Sequence, residues 1–413
     1  MTKSKVSKAL IYPCIAALGL AYCSDRPTDI AIDRVSSTSE NTLSTTVYAP
    51  QNRPDVRGQI GAVSAGHPLA AQAGLRVLQD GGNATDAIIA MAGVLAVVRP
   101  HMNGIGGDAF GIFYDGETGE VTALNASGRS GALATPEFFA AANVERIPGI
   151  GPMSVSVPGA VAGWVDAHER YGSMDFASLL STGIEYARNG FAVSTRLAQD
   201  FEEQGGNLNE AGRDLYLPNA IAPPVGSLLR NPQLANSLEI VADEGKEGFY
   251  NGSIAQKLSA FITEQGGYLR QDDFESHTSS WVTPLRGEYL NHVFVVMPPN
   301  TQGITQLALF EMAKSHDLNL MEQNSADYLH TLVELKKLAF ADRDRWVADP
   351  EHANVPVEQL LNANYLKQRA QLIDMSVAAT EVDPGFGNEI FVEPNGNRSD
   401  AGDTVFITAV DQW

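Results

Sequence analysis

Gly402-Asp403-Thr404-Val405-Phe406-Ile407-Thr408-Ala409-Val410-Asp411-Gln412-Trp413 is the stretch around which the fold is organised. From Val405 to Val410 the residues are β-branched, aromatic or small, which reads as a buried strand. Its sheet partners are expected from earlier in the chain, because no later residue of this sequence can supply them. An acidic residue and a threonine stand at its entrance. Taken alone, Asp403-Thr404 is an ordinary way to enter a strand. A threonine hydroxyl acquires chemical meaning only with a base beside it.

Working outward, the 413 residues are enough for one large domain or two smaller ones, with a core that needs no disulfides. The 44% hydrophobic and 19% charged residues describe a globular protein. A net charge of −21 argues against nucleic acid or an anionic membrane surface as a partner. An anionic substrate would therefore need a local, identifiable basic group. The two cysteines, Cys14 and Cys23, lie outside the globular part and form no disulfide framework.

The start, MTKSKVSK followed by ALIYPCIAALGLAYC, is basic and then briefly apolar. That is the layout of a secretory signal over residues 1–23. Two exits are open. Gly19-Leu20-Ala21 suits ordinary cleavage after Ala21, whereas Leu20-Ala21-Tyr22-Cys23 resembles a bacterial lipobox with Cys23 as the lipidated residue. The protein is expected to be exported, either periplasmic or anchored to the membrane through lipid. Residues 24–58, with the run SSTSENTLSTT, read as a flexible tether.

Folded sequence begins near Gln59 with IGAVSAG, a short strand. Pro68 opens a helix through Leu78 that stops at Gly81-Gly82. Asn83 and Asp86 are placed as cap and third residue of the next helix, Ala87 to Val98, which is apolar on every side and belongs in the core. The glycine turn HMNGIGGDAFGIFYD, a strand, the hairpin turn DGETGE and the strand VTALNA follow, leading into SGRSG. Helices are read over 158–200, with Gly190 ending one of them, and helical and loop segments to about 280. HVFVVMPPN returns to strand, and a long helix runs from about Ser325 to Arg345. This mixture indicates one layered α/β domain.

Asn103-Gly104-Ile105-Gly106-Gly107-Asp108 lacks both the dinucleotide glycine spacing and a P-loop lysine, so it reads as a tight turn packed under another element. Arg129 sits among Ser, Gly and Ala, where its guanidinium is accessible. It is either a surface ion-pairing residue or a clamp for a substrate carboxylate. The eight histidines include no metal-binding pair, and no Gly-x-Ser-x-Gly elbow is present.

GGNATDAIIAMAGVLAVVRPHMNGIGGDAF, PGAVAGWVDAHERYG, EYARNGFAV, GFYNGSIA, PPNTQG and KKLAFADRDRWVADP stand in one order. Together they resemble the γ-glutamyltranspeptidase family over residues 59–413. The resemblance implies an N-terminal nucleophile hydrolase, an α+β layered fold completed as an αββα sandwich. It implies self-cleavage between Asp403 and Thr404, Thr404 as the nucleophile, and Arg129 at the position that binds the donor's α-carboxylate. It implies no metal or cofactor, a small-molecule γ-glutamyl or related amide as substrate, and the protein's own small subunit as partner. Residues 59–403 then correspond to the large subunit and 404–413 to the start of the small one, so this chain alone is expected to be inactive. Three features depart from the family pattern: Thr-Val-Phe at the cut in place of Thr-Thr-His, Asp108-Ala109 in the glycine turn, and only ten residues after the cut. The competing reading is an exported, lipid-anchored binding protein that keeps the pocket without the chemistry.

Overall fold

The computed structural model describes residues 57–386 and 404–412. Cys23, Asp403 and nearly all of the expected tether lie outside the described residues.

The terminal stretch finds its partner at the start of the folded region. Strand β1 (Gly61–Ser64) pairs antiparallel with β9 (Thr408–Asp411), Ser64 opposite Thr408 and Gly61 opposite Asp411. The ladder is shorter than the apolar run, and it starts three residues later than the sequence suggests. β1 has only four residues to offer, so Val405 and Ile407 pack against the core without a strand partner. Val410 is 59% exposed, so the strand is covered on one face and not on both.

Two helices lie beside this pair. Helix α1 (Pro68–Gln79) is capped by His67, whose Nδ1 accepts from the Leu69 amide at 3.2 Å. Helix α2 (Ala84–Val98) starts at a complete capping box: Asn83 Oδ1 accepts from Asp86 N, and Asp86 Oδ2 accepts from Asn83 N, each at 3.0 Å. The all-apolar α2 is buried almost throughout, as its composition requires. The helices Ala160–Tyr171 and Phe176–Asn189 pack with it in the same core, and Gly190, at φ 97°, ends the second.

A three-stranded sheet holds β2 (Ala109–Tyr114), β3 (Val121–Ala126) and β6 (Ser280–Val282), with β3 central and β2 at an edge. Strands β4 (Phe191–Ala192) and β5 (Leu228–Leu229) form a minimal pair. A second core gathers around the hairpin β7 (Leu285–Tyr289) and β8 (His292–Val296) with the helices Gly303–Ala313, Ala326–Trp346 and Ala363–Ala370. β7 was not legible as a strand. Arg286 and Glu288 interrupt its apolar content, and Gly287 is the residue that meets Leu307. The architecture is α+β, and its described strands fall into four small sheets.

Candidate functional site

A cleft of about 2440 Å³ runs between the two cores. Its walls are residues 404–411, the glycine turn at 103–108, the edge strand β2, and the loop 300–303. Phe110, Ile112, Tyr114, Phe406 and Val410 are exposed apolar side chains on these walls. Lys336 lines the cleft, with its Nζ 4.9 Å from the Phe340 ring centroid.

Thr404 is exposed and lines this cleft. The segment that carries it is fixed at several points by backbone and packing. The β1–β9 ladder sets its register, and Val405 and Ile407 lie against the core. Asp411 Oδ2 accepts from the Ala84 amide at 2.7 Å, placing a carboxylate at the first turn of α2, where the helix presents unpaired donors and partial positive charge. Nothing in the sequence at 411 signals this, because its partner is 327 residues away.

The glycine turn does what a packed turn does. The Gly107 carbonyl accepts from Gly159 N at 2.9 Å and from Ala160 N at 2.8 Å, seating the start of the Ala160–Tyr171 helix. Asp108, which follows it, lines the cleft and accepts from the Gly128 amide at 2.9 Å. Burial pushes its carboxyl above the usual carboxylate range, and the Gly128 bond opposes that only in part. Gly128 must be glycine. A Cβ there would collide with the Val157 carbonyl.

Between Asp108 and Arg129 lies a closed ring of side chains that sequence reasoning passed over. Asn125 Nδ2 donates to Asn300 Oδ1 at 2.9 Å, and Asn300 Nδ2 donates to Ser127 Oγ at 3.0 Å. Ser127 Oγ donates to Asn125 Oδ1 at 2.8 Å. The ring ties the end of β3 to the 300–303 loop, joining the two sides of the cleft. The fragments NASGRSG and PPNTQG were visible in the sequence, but nothing there indicated that their polar residues meet.

Arg129 is two residues beyond this ring and is not among the residues lining the cleft. Its side chain is 45% exposed. Nη1 donates to the Thr278 carbonyl at 3.1 Å, and Nη2 pairs with Glu351 Oε1 at 3.1 Å. Arg129 is thus ion-paired and accessible at the same time. Beside it, the His277 ring packs at a tilt against Tyr250, with centroids 5.2 Å apart, and neither ring nitrogen has a hydrogen-bond partner among the described residues. Burial, reinforced by the Arg129 charge and opposed by Asp166, lowers its pKa and keeps it neutral.

The order of elements, the segment led by Thr404 beside the first strand, and the cleft define a layered α+β fold. A family model described as γ-glutamyltranspeptidase matches residues 70–413. The chain belongs to the γ-glutamyltranspeptidase family. It is 36% identical over 320 residues to the glutathione hydrolase-like YwrD proenzyme of Bacillus subtilis, covering 77% of this chain and 61% of that one. It is 34% identical over 359 residues to the oxamate amidohydrolase proenzyme of Klebsiella pneumoniae, covering 85% and 64%. Among solved structures, the γ-glutamyltranspeptidase of Helicobacter pylori superposes with a TM-score of 0.76 at 27% identity, covering 84% of this chain and all of that one. The chain spans less than two thirds of the length of both proenzymes.

Proposed function

We propose that this chain is the large-subunit region, with the first residues of the small subunit, of a self-cleaving γ-glutamyltranspeptidase-like hydrolase and acyltransferase. The observation that carries this is the setting of Thr404. It opens on the cleft at the head of a segment whose register, packing and helix-cap contact all hold it in place. The match to the family runs through this segment to residue 413.

In this reading, the Thr404 hydroxyl attacks the Asp403 carbonyl, the peptide becomes an ester on Oγ1, and water releases the new N-terminus. The freed α-amino group, with an ordinary pKa of about 7.7–8.0, then serves as the base that takes the hydroxyl proton. Oγ1 attacks the substrate amide, the amine leaves with that proton, and water or a second amine takes up the acyl group. No metal is required. Arg129 is the group for the donor's α-carboxylate, because a planar guanidinium offers two parallel donors to it. The apolar edge strand β2, together with the exposed Phe406 and Val410 of the segment that begins the small subunit, forms a surface for the rest of that subunit, which would convert the open cleft into an enclosed site. Export through residues 1–23, with either cleavage after Ala21 or lipid on Cys23, belongs to the same proposal and is tested by labelling with a clickable fatty acid.

The substrate is a small amide with a γ-glutamyl or related acyl group. The names of the two proenzymes, one a glutathione hydrolase-like protein and the other an oxamate amidohydrolase, support an amide-cleaving activity with a variable acyl group. The test of the central reading is the full precursor with Thr404→Ala. It should run as one uncut chain on a denaturing gel and lack activity on a γ-glutamyl anilide. Cleavage at the same bond in that variant would refute the proposed nucleophile.

A further inference from the structure

We infer that Glu351 is an internal stand-in for the substrate's carboxylate, holding the Arg129 guanidinium in position until a donor displaces it. This rests on Arg129 being the carboxylate clamp.

The two contacts of Arg129 differ in kind. The bond from Nη1 to the Thr278 carbonyl is a neutral backbone contact at 3.1 Å, which orients the guanidinium without neutralising it. The bond from Nη2 goes to a single carboxylate oxygen, Glu351 Oε1. A guanidinium that can grip a carboxylate with two parallel bonds is here engaged by one, so its better arrangement is unused. Glu351 is 59% exposed and Arg129 45%, and an ion pair in such surroundings is weak enough to exchange.

Glu351 is also built to present its side chain while its backbone stays put. Its amide donates to Asp349 Oδ1 at 2.9 Å, and the Asp349 carbonyl accepts from His352 N at 3.1 Å and Ala353 N at 2.9 Å. The turn is thus fixed just after the Ala326–Trp346 helix, and the contact to Arg129 spans 222 residues. A carboxylate delivered from so far along the chain to an accessible arginine next to the Asn125–Ser127–Asn300 ring does two things. It lowers the cost of keeping a bare cation oriented, and it sets a threshold that a donor must exceed. Donors with an α-carboxylate compete with Glu351; donors without one leave the pair intact.

The experiment uses the full precursor, with self-cleavage on a gel as proof that each variant folds. KM is measured for two matched acyl anilides, one with and one without the α-carboxylate. Glu351→Gln keeps the shape and removes the charge. It should lower KM for the carboxylate donor by about two- to fivefold, the range of an exposed ion pair, with kcat unchanged and no effect on the other donor. In the Arg129→Ala background, Glu351→Gln should then have no effect. If Arg129→Ala discriminates between the donors but Glu351→Gln leaves KM unchanged, raises it, or shifts both donors alike, the stand-in role is wrong while the clamp survives. If Arg129→Ala fails to discriminate, the clamp itself falls and the stand-in with it.

Discussion

Thr404, on the wall of the cleft, and Arg129, outside its lining, are held by opposite means. Thr404 is fixed through its backbone: a strand ladder to β1, apolar packing of Val405 and Ile407, and an Asp411 cap on α2. Arg129 is held through its side chain, by one carbonyl and one exposed carboxylate. Only its loop is rigid, because Val157 N donates to the Arg129 carbonyl and Gly128 leaves no room for a side chain. Bond making tolerates little displacement of the reacting atom, so the backbone is the appropriate support there. Recognition of a charged group tolerates exchange of partners, so a side-chain contact suffices. On the proposed function, the contrast would place chemistry on the fixed element and selectivity on the adjustable one.

The comparison breaks most sharply at Thr404. Thr404→Ala should stop self-cleavage and reduce turnover of a γ-glutamyl anilide on the order of a millionfold, as removal of a nucleophile does. Arg129→Ala should spare self-cleavage and cut kcat/KM for α-carboxylate donors by about 10- to 150-fold, corresponding to a charged hydrogen bond of about 1.5–3 kcal/mol. Arg129→Lys should recover little of this, since an ammonium cannot form the planar fork. Matched donors with and without the carboxylate check both variants, and equal losses on the two would make Arg129 structural.

Smaller effects sharpen the same contrast. Asp411→Ala removes the carboxylate from the start of α2 and should cost about 0.5–2 kcal/mol in denaturant unfolding. It should also slow self-cleavage, because the register of the Thr404 segment loosens; the corresponding variant beside Arg129, Glu351→Gln, should leave that rate unchanged. The smallest effect is at His277. Its pKa is lowered on folding, so the unfolded chain binds the extra proton more readily. Stability should therefore fall as pH drops below about 6.5, with a slope of at most about 1.4 kcal/mol per pH unit for this one group. His277→Gln should flatten that part of the unfolding curve without altering it above pH 7.

Much of the scaffold was readable because its signals are local. Asn83 and Asp86 announce a capping box three residues apart, and the unbroken apolar run to Val98 can only be a buried helix. Ser325 caps the long helix as its type predicts. The γ-glutamyltranspeptidase resemblance read from the ordered motifs agrees with the family match over residues 70–413. Where the reading slipped, a non-local partner set the outcome. β9 is short because β1 is short, and β7 carries charged residues because only Leu285, Gly287 and Tyr289 of it turn inward.

The sequence by itself determined the capped helices, the β2–β3 hairpin and the family, because capping and periodicity are encoded within a few residues and the family motifs stand in a fixed order along the chain. The tertiary structure decided what surrounds Thr404 and Arg129. Only folding brings Asp411 to Ala84 and Asn300 to Ser127, and only folding delivers Glu351 to Arg129. These contacts bridge 173 to 327 residues. No local propensity specifies them; they exist because the packing of the two cores places those side chains within hydrogen-bonding distance.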